Sequence, residues 1–262
     1  MQAAISGTRK FATVRTIFAM MIREMITTFG RSPGGYIWAI VEPVAAIGLL
    51  SIVFSLAFRA PSLGTTFVLF YASAYLPFML FMDVTSKVAS SIRFSKPLMT
   101  YPVITFVDVI LARFVLNVLT HIVVMVVVLS GVFVFFALPL NMDLAKIGNA
   151  VGMAAILAMG LGTVNCYLST AFPVYERLWQ VATRPLIIVS GLFFVFESVP
   201  AAFRDYLWWN PLFHITGEMR SGLYATYDAT YVSPVFVYLT GLSLFALGLL
   251  VLGRSYRDLL NI

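Results

Sequence analysis

From Ile104 to Phe136 the chain is apolar, and its only ionisable residues there are Asp108, Arg113 and His121. That run constrains the fold more than any other feature, because about 20 apolar residues are what a helix needs to cross a bilayer. Five further stretches have the same character, at about 36–58, 65–82, 147–172, 178–196 and 232–253. Hydrophobic residues make up 61% of the chain and charged residues 11%, whereas a soluble domain carries about a quarter charged residues. Such a chain cannot cover itself with polar surface in water, so it reads as an integral membrane protein. The runs are too long for the roughly ten-residue alternating strands of a barrel. The expected fold is an all-α bundle of six transmembrane helices, forming a single domain over 1–262.

The fifth run is the irregular one. Its uninterrupted part, Pro185–Phe196, is too short alone, so the span must take in Arg184 or cross as something other than a simple helix. Residues 10–29 read as an amphipathic helix lying in a headgroup plane. Phe11, Val14, Phe18, Ile22, Met25 and Phe29 share one stripe, with Thr13, Thr16, Arg23, Glu24 and Thr27 opposite. Between the fifth and sixth runs, Val199–Leu207 and Pro211–Leu223 are half-apolar and too short to span. Short helices dipping back into the outer leaflet fit there, provided their non-helical backbone is buried in protein.

The basic residues orient the chain. With the N-terminus in the cytoplasm, thirteen of the seventeen Lys and Arg fall inside, leaving Arg59, Lys146, Arg204 and Arg220 outside. Both termini are then cytoplasmic. The segment before the first run is too long for a signal peptide, so no cleavable leader is expected. The net charge of +6 is accounted for by this cytoplasmic excess and requires no nucleic-acid partner.

The sequence has no G-x-x-x-x-G-K-[ST] loop, no H-E-x-x-H and no paired metal-ligand cluster. No catalytic residue, metal or resident cofactor is assigned. Cys166, the single cysteine, reads as a small packing residue. What remains are polar groups where they are expensive. Arg113, Asn117, Thr120 and His121 fall on one helix face, Arg184 precedes Pro185, and Glu42 precedes Pro43. Ionisable groups at membrane depth usually face a bundle interior or a wet pathway; the competing readings are a structural ion pair or snorkelling to the interface. Tyr206, Trp208, Trp209 and Tyr224 belong to an aromatic-rich outside segment and fit an ordinary interfacial belt. Gly148 and Gly152, with Ala150, Ala154, Ala158 and Gly162, would let the fourth span approach a neighbour closely. The loop from Asp83 to Pro102 has helix-compatible residues, with Val84, Val88 and Ile92 along one side; a short exposed helix there suits docking of a cytosolic partner, and a simply solvated loop fits the same pattern.

Four segments in order resemble the membrane subunit of ABC-2 type exporters, and more closely the capsule polysaccharide export permeases of Gram-negative bacteria. They are FGRSPGGYIWAIVEP (Phe29–Pro43), KPLMTYPV with ARFV after it (Lys96–Val115), FPVYERL…RPL (Phe172–Leu186) and LWWNPLFHITGEMRSGLY (Leu207–Tyr224). The likeness covers nearly the whole chain. It implies six spans with an N-terminal interfacial helix, in the bacterial inner membrane, and two copies forming one pore. It also implies a cytosolic ATP-binding subunit docked on each copy through Asp83, Ser86, Lys87, Ser90, Arg93 and Lys96, with ATP and Mg bound by that partner. The implied cargo is a lipid-linked acidic polysaccharide, handed to a periplasmic co-polymerase and outer-membrane export components. Arg113, Asn117, His121, Arg184, Tyr206, Trp208, Trp209 and Tyr224 would then serve the conduit. Arg31, Tyr36, Trp38, Glu42 and Pro43 would shape its cytoplasmic mouth, with Glu42 placed to pair with a basic residue of a neighbouring helix. The same architecture could instead carry O-antigen, teichoic acid or a small hydrophobic compound. A membrane transferase acting on a lipid-linked sugar would need carboxylates converging on one cavity, whereas Glu42, Asp83, Asp108 and Glu176 are dispersed along the chain.

Overall fold

Five helices are long and apolar enough to cross a membrane: α2 (Ile37–Ala57), α3 (Phe67–Ala89), α5 (Phe106–Phe135), α6 (Leu144–Ala171) and α10 (Pro234–Asn261). They come from a computed structural model that describes residues 12–29, 35, 37–99 and 104–261. The shorter helices are α1 (Ala12–Phe29), α4 (Ser91–Ser95), α7 (Pro173–Thr183), α8 (Ala201–Trp208) and α9 (Pro211–Leu223). Among the described residues every regular element is helical.

Helix α6 is the centre of the bundle, and small residues are the reason. Ala150, Ala154 and Ala158 are fully buried. A Cβ at Gly160 would fall inside the van der Waals shell of the Gly241 carbonyl oxygen on α10. Farther along, Gly248 meets Thr163 and Val164, so α6 and α10 run side by side in the same direction. Gly162 abuts Val88 of α3 in the same way. The small-residue face therefore packs against helices of its own chain, while Gly148 at its start has open space beside it. With little hydrophobic drive between helices in lipid, such close backbone approach is what dispersion packing requires.

Two expectations change. The second span does not stop at 82. Val84 and Val88 are fully buried and Thr85 is nearly so, which makes Asp83–Ala89 the last turns of α3, packed on α6, and delays the loop to Ser90. The fifth span is not one helix over 178–196. That run holds the end of α7, a 3-10 turn at Arg184–Ile187, an irregular stretch, and the start of a second 3-10 turn at Phe196–Ser198. Pro185 supplies no amide hydrogen, and Gly191 has φ +77°, outside helical space. The two half-apolar pieces that follow become α8 and α9, with most of α9 buried.

Helix α5 starts at a reciprocal cap. The Thr105 hydroxyl accepts from the Asp108 amide at 3.2 Å, and the Asp108 carboxylate accepts from the Thr105 amide at 3.0 Å. Helix α1 lies against α5 through Met20, Val109 and Ala112. Its apolar stripe points off the protein, with Val14, Phe18, Ile22 and Met25 exposed, and Glu24 from the opposite side is buried.

Candidate functional site: a polar cavity and an arginine joint at one end of the bundle

A cavity of about 310 Å³ opens between α2, α3 and α5, near the end of the bundle where α3 meets α4. Its volume is at the lower end of the range for ligand pockets. Spacings of three and four residues bring Trp38, Ala39, Glu42 and Pro43 to its wall from α2. Asp83 and Lys87 come from α3; Asn117, Thr120 and His121 come from α5. His121 Nε2 lies 3.2 Å from the Asp83 carboxylate. The Asn117 amide donates to the Arg113 carbonyl at 2.7 Å, and the Thr120 hydroxyl to the Leu116 carbonyl at 2.9 Å. Both side chains keep acceptor capacity for the cavity. Pro43 sits inside α2 and has no N–H for the Ala39 carbonyl, so the helix ladder is broken at the cavity wall.

Residues expected in three separate roles thus meet in one place. Trp38, Glu42 and Pro43 from the mouth, Asp83 and Lys87 from the docking segment, and Asn117 and His121 from the conduit all line this cavity. Glu42 and Asp83, distant in sequence, converge here. Glu42 makes no ion pair among the described residues, so its expected basic partner on a neighbouring helix is not found; Lys87 is the cation that shares its cavity. Arg31 and Tyr36 lie outside the described residues.

Arg113 is on the same helix but serves a joint, not the cavity. Its Nε donates to Glu24 at 3.0 Å, and both side chains are 6% exposed. Its Nη1 donates to the Lys87 carbonyl at 3.0 Å and to the Ser90 hydroxyl at 2.8 Å. The guanidinium also stacks on Phe94, 4.3 Å from the ring centre. One side chain therefore fastens α1, the end of α3, α4 and α5 together. The adjoining surface is tied by Arg93 of α4 and Glu176 of α7 at 2.8 Å. The Arg93 hydrogen bond holds the Glu176 carboxyl below its ordinary range. Ser86, Ser90, Arg93 and Glu176 line a smaller polar cleft of about 130 Å³. Lys96 is exposed just past α4.

The remaining residues do not gather. Arg184 is exposed on the 3-10 turn and does not line the cavity. Tyr206 and Trp209 are exposed. Trp208 is half-buried, donates its indole N–H to the Tyr231 carbonyl at 3.2 Å, and stacks on Phe236. Tyr224 packs against Gly64.

A family model described as ABC-2 type transporter matches residues 15–224. That span includes the cavity and the joint. The chain belongs to the ABC-2 type transporter family. It is similar to the polysialic acid transport protein KpsM of Escherichia coli, 27% identical over 246 residues that cover 92% of each chain. It is also similar to the capsule polysaccharide export inner-membrane protein CtrC of Neisseria meningitidis serogroup A, 27% identical over 241 residues, 92% of this chain and 91% of that one. A third relative is the protein of the same description, BexB, from Haemophilus influenzae, 26% identical over 238 residues, 90% of this chain and 89% of that one.

Sequence reasoning about this ABC-2 type chain missed two buried charges. Glu24 reads as one member of a polar helix face, and only its complement in α5 marks it as buried. The count of basic residues assigns Arg220 only a side of the membrane; the structure adds that it is 2% exposed inside the bundle. The signal for Arg220 was its place in a half-apolar segment too short to span, where a charge must face protein to be tolerated.

Proposed function

We propose that the chain is the membrane permease subunit of an ATP-driven exporter that moves lipid-linked capsular polysaccharide across the bacterial inner membrane. The observation that carries this reading is its similarity to capsule export proteins over about nine-tenths of its length. The sequence holds no P-loop, so ATP and Mg belong to a cytosolic partner. Two such partners dock on two copies of the chain through the Ser86–Lys96 surface, both termini face the cytoplasm, and periplasmic and outer-membrane components receive the polymer. The joint at Arg113 gives docking a physical consequence. A force on Ser90 or Phe94 is carried directly to α5 and to α1, and Lys87 and Asp83 on the same helix end reach the cavity wall. The sugar hydroxyls of the polymer are accommodated there by hydrogen bonds to Asn117, Thr120 and the carboxylates of Glu42 and Asp83, with Trp38 offering a flat face.

Co-purification from native membranes tests this. The expected result is a dimer of the chain carrying a stoichiometric ATPase, lost when Ser86–Arg93 is changed, together with loss of surface capsule on deletion. A chain that purifies without any ATPase and whose deletion leaves capsule intact sinks the proposal. One observation favours a second reading: Glu42 and Asp83 converge on a cavity with His121, as a transferase acting on a lipid-linked sugar would require. Glycosyl transfer by the isolated chain, abolished by Glu42→Gln, would establish that reading over transport.

A further inference from the structure

The irregular half of span five runs beside α9 with carbonyls that a continuous helix would have satisfied from within. Four of them accept instead from side chains of α9 and its N-cap residue. Asn210 Nδ2 donates to the Val189 carbonyl at 2.6 Å, and the Thr216 hydroxyl, within 3.1 Å of the Phe213 carbonyl of its own helix, reaches the Ser190 carbonyl at 3.0 Å. Arg220 reaches the Phe194 carbonyl at 2.9 Å and the Leu192 carbonyl at 3.4 Å. Thr216 and Arg220 are one helical turn apart and Asn210 caps the N-terminus of α9, so the donors follow the unwound chain as a ladder. Gly191 lets the segment press against the side chains of α9, since a Cβ there would lie 2.9 Å from the Phe213 ring and 3.0 Å from Thr216 Oγ1. Arg220 also lies over Phe70 of α3 at 4.3 Å, which pins the ladder to a spanning helix.

We propose that Asn210, Thr216 and Arg220 are positioning residues that set the course of Val189–Phe194, and that transport depends on that course. Non-helical backbone at membrane depth persists only where protein satisfies it, and here three side chains do so. The segment is consequently released as a unit when the ladder is withdrawn, without unwinding any helix. Its other face is fixed by Phe193 against Phe54 of α2, with ring centres 5.4 Å apart, so a shift of the segment is felt at the first span.

The transport consequence rests on the exporter reading; the structural claim does not, and one experiment separates them. In a chain with Cys166→Ala, Ser190→Cys supplies a single thiol at a fully buried position. Its reaction with a water-soluble methanethiosulfonate in native membranes is expected to be slow. Arg220→Met should accelerate it tenfold or more, and Thr216→Val by a smaller factor. Equal slow rates in both variants overturn the proposal, as does fast labelling with the ladder intact. Should Arg220→Met fail to accumulate, the Thr216→Val rate decides. In the assembled exporter, Arg220→Met should keep ATP hydrolysis within twofold while export falls tenfold or more, with part restored by Arg220→Lys. Parallel loss of hydrolysis and export would show that Arg220 serves packing only and would also overturn it. If the unmodified chain exports nothing, the exporter reading fails and the labelling rates still judge the ladder.

Discussion

Arg113 and Arg220 are both buried guanidinium groups in a largely apolar protein, 5% and 2% exposed, and they are satisfied in different ways. Arg113 sits among regular helices. Their carbonyls are mostly consumed by their own ladders, so its charge is met by a carboxylate from another helix, Glu24 of α1. Arg220 has no carboxylate partner among the described residues. It sits beside an unwound segment whose carbonyls are free to accept, and its two terminal nitrogens donate there while the buried Nε has no hydrogen-bond partner among the described residues. The first arginine joins helices, and the second replaces hydrogen bonds that a missing helix would have made. The same residue type thus reports the state of the neighbouring backbone.

The largest expected effect breaks the first member of this pair. Arg113→Met leaves the Glu24 carboxylate buried without its cation, a loss of about 3–5 kcal/mol that should show as a lowered thermal midpoint in detergent. Adding Glu24→Gln should recover most of it. Equal midpoints for the single and double variants would mean that the charge pair is not what matters.

The second effect sharpens the contrast. Arg220→Met removes donors from the Leu192 and Phe194 carbonyls, which should cost about 2 kcal/mol. No companion substitution should restore it, because the partners are backbone atoms. A single side-chain change that fully rescues Arg220→Met would show that the arginine answers a charge after all.

A smaller effect probes one rung. Thr216→Val keeps the shape and deletes the bond to the Ser190 carbonyl, for a loss of about 1 kcal/mol. It should be additive with Arg113→Met, since the two lie in unconnected networks; a non-additive double variant would join them.

The smallest concerns Arg93 and Glu176 at the surface. Both side chains are more than two-fifths exposed, so Glu176→Gln should cost only a few tenths of a kcal/mol. The Glu176 carboxyl titrates below its ordinary range because of the Arg93 hydrogen bond. A lowered folded-state value stabilises above the unfolded value and is lost as pH falls through the folded one. The difference in midpoint between wild type and Glu176→Gln should therefore be full at neutral pH and shrink on acidification below the usual carboxylate range. A difference independent of pH would remove the bridge from the account.

Much of this was readable before any coordinates. Runs of about 20 apolar residues read as spanning helices in this setting, and α2, α5 and α6 begin and end within a few residues of their predicted limits, while α10 starts within two residues of its own and runs eight past it. The pieces Val199–Leu207 and Pro211–Leu223 were each too short to cross and too apolar to leave the membrane region, and they became α8 and α9. For the site, periodicity placed Asn117, Thr120 and His121 on one face, and they do share a wall. It placed Arg113 there as well, but a side chain that long turns to whichever neighbour offers a carboxylate, and α1 was that neighbour.

The sequence by itself determined the class of molecule, the four spans above, the short helices and the family, because hydropathy over a span length and ordered motifs are local properties of the chain. Only the tertiary structure decided which helices meet. It brought Glu42, Asp83 and His121 to one cavity, gave Glu24 to Arg113, extended α3 past its apolar limit on the surface of α6, and laid an unwound half-span against α9. The physical reason is that a buried polar group is defined by its partner, and partners about 90 to 300 Å of extended chain apart become neighbours only when the helices pack.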